Sequence, residues 1–564
     1  MIPTSCHRRR LNMLFVALRS ICLVLLALCS VVSQAMAFQI PSFKDADRTN
    51  PSTVQPYDKA CVTCHDNLDP QAQHQWIGLH QASTFFGFDP EKKTYVQDQR
   101  DIHARALSKV FEDGDKNGPL TKAFEEILRV LEIQKDSEPF RSQCLTCHAG
   151  LRPDADHIAN PGRTWAQFQA EDEPIARESI GCEACHGQGK GYLVDHIYSG
   201  WLTSSTSFKL GKGFYDLENS AIAARVCLSC HLGSPEESKV ITHEMYAAGH
   251  PPLPPVDLAK FLDETCSKHW TTLSEKSNKL STLKSPIDLQ LENARVAYLR
   301  NHLSTDSPDL NQTIQVQFRK TQQSRIGQMT ANLIHHDLLL NQAQSDTNWG
   351  DYALYDCAGC HQTLYKKIRG SVGSPGRVPG RPLGLLWTKS MLSSSEESQL
   401  APLLPLQGLI DQELNAKPFG DRSRIQAAID GFASERANAK LQLIDLASQP
   451  FDQASAEQWL RGFLQQRRSM LGNQWVAKQT FWTLEMFFDD LAIISPSNIP
   501  QESNDRIFQA RFEQLKSDAP RFSQLVSCGE LASKPRSTGD DAAFYELLEA
   551  FIDDFLNADQ QASP

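Results

Sequence analysis

The chain has 564 residues, 40% of them apolar and 22% charged, a balance that excludes a disordered chain and at this length points to more than one domain. The formal charge of −11 argues against a nucleic-acid partner held by a basic surface. After residue 40 no stretch approaches the roughly 20 apolar residues of a membrane helix.

Residues 1–37 read as a secretory signal. Arg8, Arg9 and Arg10 form a basic start, Ile21 to Val32 an apolar run, and Ala35-Met36-Ala37 a small-x-small cleavage site that leaves Phe38 as the new N-terminus. An uncleaved anchor is the alternative, against which Arg19 interrupts the longer apolar stretch. A lipoprotein through Cys29 is disfavoured by bulky Leu28 in front of it. Removal of the segment takes four arginines and no acid, moving the net charge to −15. The expectation is an exported, periplasmic or otherwise extracytoplasmic protein with no stable membrane span after cleavage.

Three of the 15 cysteines leave with that signal, and ten of the remaining 12 fall in five copies of Cys-x-x-Cys-His. In chain order they are Cys61, Cys64 and His65; Cys144, Cys147 and His148; Cys182, Cys185 and His186; Cys227, Cys230 and His231; and Cys357, Cys360 and His361. Chance would supply about 0.01 such pentapeptides in a chain of this composition. The pattern is the attachment motif of haem c: two thiols one helical turn apart add to the vinyl groups, and the following histidine is carried onto the iron. A disulfide framework gives no reason for the histidine, zinc ribbons pair Cys-x-x-Cys with another such pair, and a thioredoxin-like motif would occur once. Five covalent haems c are therefore expected, with His65, His148, His186, His231 and His361 as proximal ligands.

A six-coordinate haem needs a second axial ligand. Eleven further histidines follow His7, all before His361, and the last 203 residues contain none. Only Met245 and Met329 offer thioethers in the haem-bearing region, so bis-histidine ligation is the expectation. His243 and His250 lie seven apart, two turns along one helical face if that stretch is helical, with Pro251 and Pro252 ending it. Either can reach iron; His250 is favoured, with His243 as ligand or propionate partner. His335 and His336 sit on an apolar helical stretch, Met329 to Leu340, and are read as packing or hydrogen-bonding residues. Cys266 and Cys528 remain, and two buried free thiols are favoured over a disulfide between them.

Beyond the fifth motif, Arg369 to Pro382 is rich in Gly, Pro and Arg and reads as a linker. Helical spacing then returns at Ile425, Ile429 and Phe432 and at Phe544, Leu548, Phe551 and Phe555, with an aromatic-rich helix over Trp475 to Leu491. The expected fold is mainly α: a multihaem cytochrome c domain with little regular β structure over 38–368, a linker over 369–386, and a haemless helical domain over 387–564.

Several segments resemble the multihaem cytochromes c of the cytochrome c-552/c-554 family. They are DIHARAL around His103, CEACHGQGKGYLVDH from Cys182 to His196, GFYDLENSAIAARVCLSCHLG from Gly213, THEMYAAGHPPL from Thr242, KHW at His269, and RIGQM through YDCAGCH from Arg325 to His361. The likeness spans roughly residues 58 to 368. It implies that His103 and His196 are distal ligands, and it adds His80 in W-x-x-x-H and His269 to the candidates beside His243 and His250. Relatives often read CHH at the last motif, where this chain has Gln362.

Two functional classes follow. The first is an electron carrier passing single electrons between redox partner proteins, the acidic mature surface suiting a basic docking patch. The second is a multihaem oxidoreductase acting on a small nitrogen or sulfur compound, such as nitrite or hydroxylamine, at one five-coordinate haem. Cys-x-x-Cys-Lys, the usual mark of the active haem in pentahaem nitrite reductases, is absent, and hydroxylamine oxidoreductases carry more motifs than five. A further reading makes the C-terminal part a docking domain within a larger complex.

Overall fold

The computed structural model describes parts of residues 88–148, most of 180–263, and 318–355, 400–493, 504–518 and 540–562 with short gaps. The signal segment, the first and fifth motifs (Cys61, Cys64, His65, Cys357, Cys360, His361), His80, His269, Cys266, Cys528 and the 369–386 linker lie outside the described residues.

The mainly α expectation holds. Among the described residues β structure is confined to isolated bridges and a two-residue antiparallel ladder, β1 (Phe88–Asp89) on β2 (Thr94–Tyr95). The helices of the motif-bearing region are short. They are α1 (Pro119–Val130), α2 (Thr146–His148), α3 (Cys182–His186), α4 (Gly189–Tyr192), α5 (Thr206–Gly211), α6 (Ser220–His231), α7 (His243–Ala247) and α8 (Leu258–Phe261). Longer ones follow: α9 (Arg319–Gln344), α10 (Leu404–Ala416), α11 (Arg422–Gly431), α12 (Ala433–Ala447), α13 (Gln453–Arg467), α14 (Gln474–Ile493), α15 (Asn504–Asp518) and α16 (Asp540–Ala562). No described helix is long and apolar enough to cross a membrane.

Helix α9 is the central element, packed against α6, α8, α11, α12 and α14. Its sequence is polar, yet every residue from Thr321 to Leu333 is buried. Such burial is tolerable only if each polar side chain finds a partner. Ser324 donates to Asp257 (2.9 Å), Gln328 to the Val256 carbonyl (2.8 Å), Gln322 to the Gln449 carbonyl (2.8 Å), and Asn332 to Gln407 (2.9 Å). The guanidinium of Arg325 lies 4.8 Å from the Phe451 ring centre. At Gly327 the backbones of α8 and α9 come so close that a Cβ would stand 2.6 Å from that of Leu258.

The first turn of α9 is capped from another helix. Phe318 offers no side-chain cap, and Asp490 of α14 accepts from the backbone N–H of Lys320 (3.2 Å) and from the N–H and hydroxyl of Thr321 (2.7 and 2.8 Å). Nearby, Asp257 caps α8 through the Lys260 N–H (3.0 Å) and also accepts from Thr483 of α14 (2.9 Å). Burial pushes the Asp490 carboxyl up to about 7 and that of Asp257 up to about 6.

Apolar burial is greatest on α13 to α16. Trp459, Phe463, Phe481, Trp482, Phe487 and Phe512 are all at most 2% exposed and join one aromatic cluster with Phe318 from the start of α9. The expected apolar positions Leu548, Phe551 and Phe555 belong to that cluster, and Ile425 and Ile429 are fully buried on α11. Phe432 departs from the spacing: it is half-buried and separates α11 from α12, so it breaks the helix where the periodicity continues it.

Candidate functional site

The Cys-x-x-Cys-His spacing gains its meaning on a helix, where residues i, i+3 and i+4 share a face. The three described motifs all end in helix. The second begins inside a π-helical turn (Phe140–Leu145), which holds Cys144, and closes with α2, anchored by Phe140, which is 1% exposed. The fourth occupies the last turns of α6, whose N-cap Asn219 accepts from the N–H groups of Ala221 and Ile222 and donates to the Ile444 carbonyl of α12 (2.8 Å).

The third motif is α3 itself, and the glycines after it fix its neighbours. Gly187 has φ +79°, and a Cβ there would lie 2.0 Å from the Gly213 carbonyl oxygen. At Gly191 a Cβ would lie 2.1 Å from the Lys212 carbonyl oxygen. The 212–213 backbone thus runs directly over the turn, and Tyr215 N–H donates to the His186 carbonyl (3.0 Å). Phe214 stacks on the His186 ring at 6.0 Å.

Two motif histidines face histidines singled out as distal candidates. His231 and His103 have ring centroids 6.2 Å apart with planes at 78°, and His148 and His250 are 6.2 Å apart at 64°. A metal–imidazole bond of about 2.0 Å on each side, plus the ring radii, puts two axial imidazoles about 6 Å apart, centre to centre. The remaining nitrogens are engaged as ligating histidines require. His103 Nδ1 meets the buried Asp101 carboxylate at 2.9 Å, and His250 Nδ1 meets the Pro251 carbonyl at 2.7 Å, which directs the lone pair to Nε2. Burial, then the neighbouring His250, pushes His148 down to about 4; burial, then His103, does the same to His231, and burial lowers His250. The two motif rings, His148 and His231, are therefore held neutral, the form that binds a metal.

The motifs also approach one another. The thiols of Cys147 and Cys230 share a hydrogen bond, and Cys185 lies within electrostatic reach of Cys227. Asp101, His103 and Ala106 serve two motifs between them, because the Ala106 backbone also hydrogen-bonds His148.

The two remaining described candidates occupy different surroundings. His196, on a 3-10 turn (Asp195–Ile197), holds the Leu193 carbonyl through Nδ1 (2.7 Å) and packs on Tyr192 and Trp201. Those two rings touch Phe214, so His186 and His196 border one aromatic cluster. His243 begins α7, donates its backbone N–H to Asp351 (3.0 Å) and sets its ring 5.1 Å from Tyr352. It therefore stands beside the chain leading into the fifth motif, whereas His250 faces the second. His336 hydrogen-bonds Gln407 at 3.2 Å, in keeping with a packing role.

Asp101 and Lys239 were not among the sequence candidates. Asp101 had a signal, a carboxylate two residues before a candidate ligand. Among the described residues no group of three or more His, Cys, Asp or Glu side chains is arranged to hold a bare metal ion. Donors meeting in twos suit an iron whose four equatorial bonds come from a macrocycle, and the donor set fits haem c. No protein-family model matches the chain, and neither does any curated protein or solved structure.

Proposed function

We propose that this protein is an exported multihaem cytochrome of the c type that carries five covalent haems and passes single electrons between redox partner proteins. One observation carries the reading furthest: His148 and His231, placed in haem motifs by sequence, each face a histidine independently chosen as a distal ligand, at the spacing two axial imidazoles need. Haem c, when bound, supplies a one-electron iron couple whose potential the axial ligands and surroundings set.

The chain's own residues would hold and tune that group. Cys144 with Cys147, Cys182 with Cys185 and Cys227 with Cys230 would make the thioether links, and Cys61 with Cys64 and Cys357 with Cys360 would do the same at the outer motifs. His148 with His250 and His231 with His103 would each supply two imidazole ligands to one haem iron, a donor set suited to exchanging electrons rather than binding a substrate. Asp101 would orient His103 and strengthen it as a donor. Phe261, 4.8 Å from the His231 ring, and Phe214 on His186 would keep water from the proximal histidines. The nearness of the second, third and fourth motifs supports electron movement within the chain.

Ligand binding separates a carrier from an oxidoreductase. Carbon monoxide added to the reduced protein, and cyanide or nitrite to the oxidised protein, should shift the Soret band of none or one of five haems. Binding joined to multi-electron turnover of nitrite or hydroxylamine would replace the carrier reading with a reductase or oxidase.

A further inference from the structure

The segment after the fourth motif returns a buried charge to that motif. Gly233, at φ +142°, turns the chain beneath Leu338 of α9, and a 3-10 turn (Pro235–Glu237) follows. Ser238, in the left-handed region at φ +55°, then lets Lys239 pair back on Ser234 through both backbone hydrogen bonds (2.7 and 3.0 Å). This closed loop aims the Lys239 ammonium inward. Nζ donates to Ser229 Oγ at 3.0 Å, the residue between Cys227 and Cys230, and that hydroxyl is 3.8 Å from Cys230 Sγ. Glu237 pairs with the ammonium at 2.5 Å. Both charged side chains are buried, an arrangement costly in desolvation that a merely solvated lysine would not adopt. Cys147 of the second motif, hydrogen-bonded to Cys230, also lies in the electrostatic reach of Lys239.

We propose that Lys239 is a potential-setting residue shared by the haems of the second and fourth motifs, its charge held against their cysteines by the 233–239 loop. The inference rests on the haem reading above. A fixed positive charge in a low-dielectric setting favours the reduced iron, which carries one unit less positive charge. Glu237 opposes and anchors it. Removing the lysine alone should therefore lower both potentials, and removing the glutamate alone should raise them. A purely structural role predicts no such opposition of sign.

The test is spectroelectrochemical titration of the full-length haem-loaded protein and of Lys239→Met, Lys239→Arg and Glu237→Gln, after a pyridine haemochrome count on each. With five haems retained, Lys239→Met should lower two of the five potentials. The reduced-to-oxidised ratio of those two haems at fixed applied potential should fall about tenfold, equivalent to about 59 mV for a one-electron couple. Lys239→Arg should leave them in place, and Glu237→Gln should raise the same two. Unchanged potentials in Lys239→Met, an equal shift of all five, or shifts of the same sign in Lys239→Met and Glu237→Gln would overturn the proposal. If Lys239→Met loses haem, Glu237→Gln decides: a rise in two potentials supports the role and no change refutes it. A parent protein without covalent haem would instead overturn the functional reading, and this inference with it.

Discussion

Asp101 shows what a single residue adds to the site. It is buried, it accepts from the backbone N–H of His103, and it binds the same residue's Nδ1, so ring and backbone are fixed together (both 2.9 Å). His103→Met and His250→Met should each leave five attached haems but change one: a thioether in place of imidazole raises that haem's potential. Redox titration checks this, and five unchanged haems in both variants would remove these histidines from the ligand set. Gly187 is a second such position, since any side chain meets both a left-handed backbone and a carbonyl oxygen at 2.0 Å. Gly187→Ala should cost about 2–4 kcal/mol in denaturant unfolding, as strain and overpacking add. The motif cysteines and histidines stand out in the sequence as a fixed pentapeptide, whereas His103 was singled out by the family resemblance and His250 by its place two turns from His243. Lys239 was not, since one lysine among 56 basic residues gains its meaning only when the 233–239 loop closes.

At the scale of the element, α9 explains why sequence periodicity read its length poorly. The apolar stretch Met329 to Leu340 marks its second half, but the helix runs from Arg319 to Gln344. Its first half is a run of polar residues that local reading assigns to solvent. Their partners lie far along the chain: Asp257 is 67 residues from Ser324, and Asp490 is 169 from Thr321. Asp490→Ala should destabilise the protein by about 1–3 kcal/mol, because it orphans the first-turn N–H groups of a buried helix. Asp490 also gives stability a pH dependence. Its folded-state value, about 7, lies above the ordinary carboxylate value of 3.8, so the native state holds the extra proton. That contribution is complete below about pH 4 and is lost as pH rises through 7, burial being the cause. Lys320, Asp489 and Asp263 surround the site and remain in Asp490→Asn. The variant should therefore show a shallower fall in unfolding free energy between pH 5 and pH 8 than the parent. An identical slope would contradict the assignment.

At the scale of the molecule, the motif-bearing helices and the C-terminal ones meet through specific polar bonds. Asn219 reaches Ile444 and Ser448, Lys260 pairs with Glu485 at 3.0 Å, and Gln479 donates to both Val256 and Gln328. Phe318 shares its core with α13 to α16. A chain ending at Arg369 would leave the faces of α8 and α9 that pack on α14 uncovered and their buried donors unpaired. It should therefore fail to accumulate as a folded, low-spin protein; a truncated chain with the parent's spectrum and haem count would show that the C-terminal helices are dispensable. The helical character of the C-terminal part was legible from apolar spacing, whereas these bonds joining it to the motif-bearing part were not, because they pair residues 151 or more positions apart, as Gln328 with Gln479 and Asn219 with Ile444.

The most direct measurement is the covalent haem content of the purified full-length protein, read by pyridine haemochrome and by intact mass. The account predicts five haems c per chain, with the second, third and fourth motifs each losing one when both cysteines are replaced, as in Cys182→Ala with Cys185→Ala. A chain that matures without covalent haem, or whose haem count is unmoved by that replacement, would contradict it.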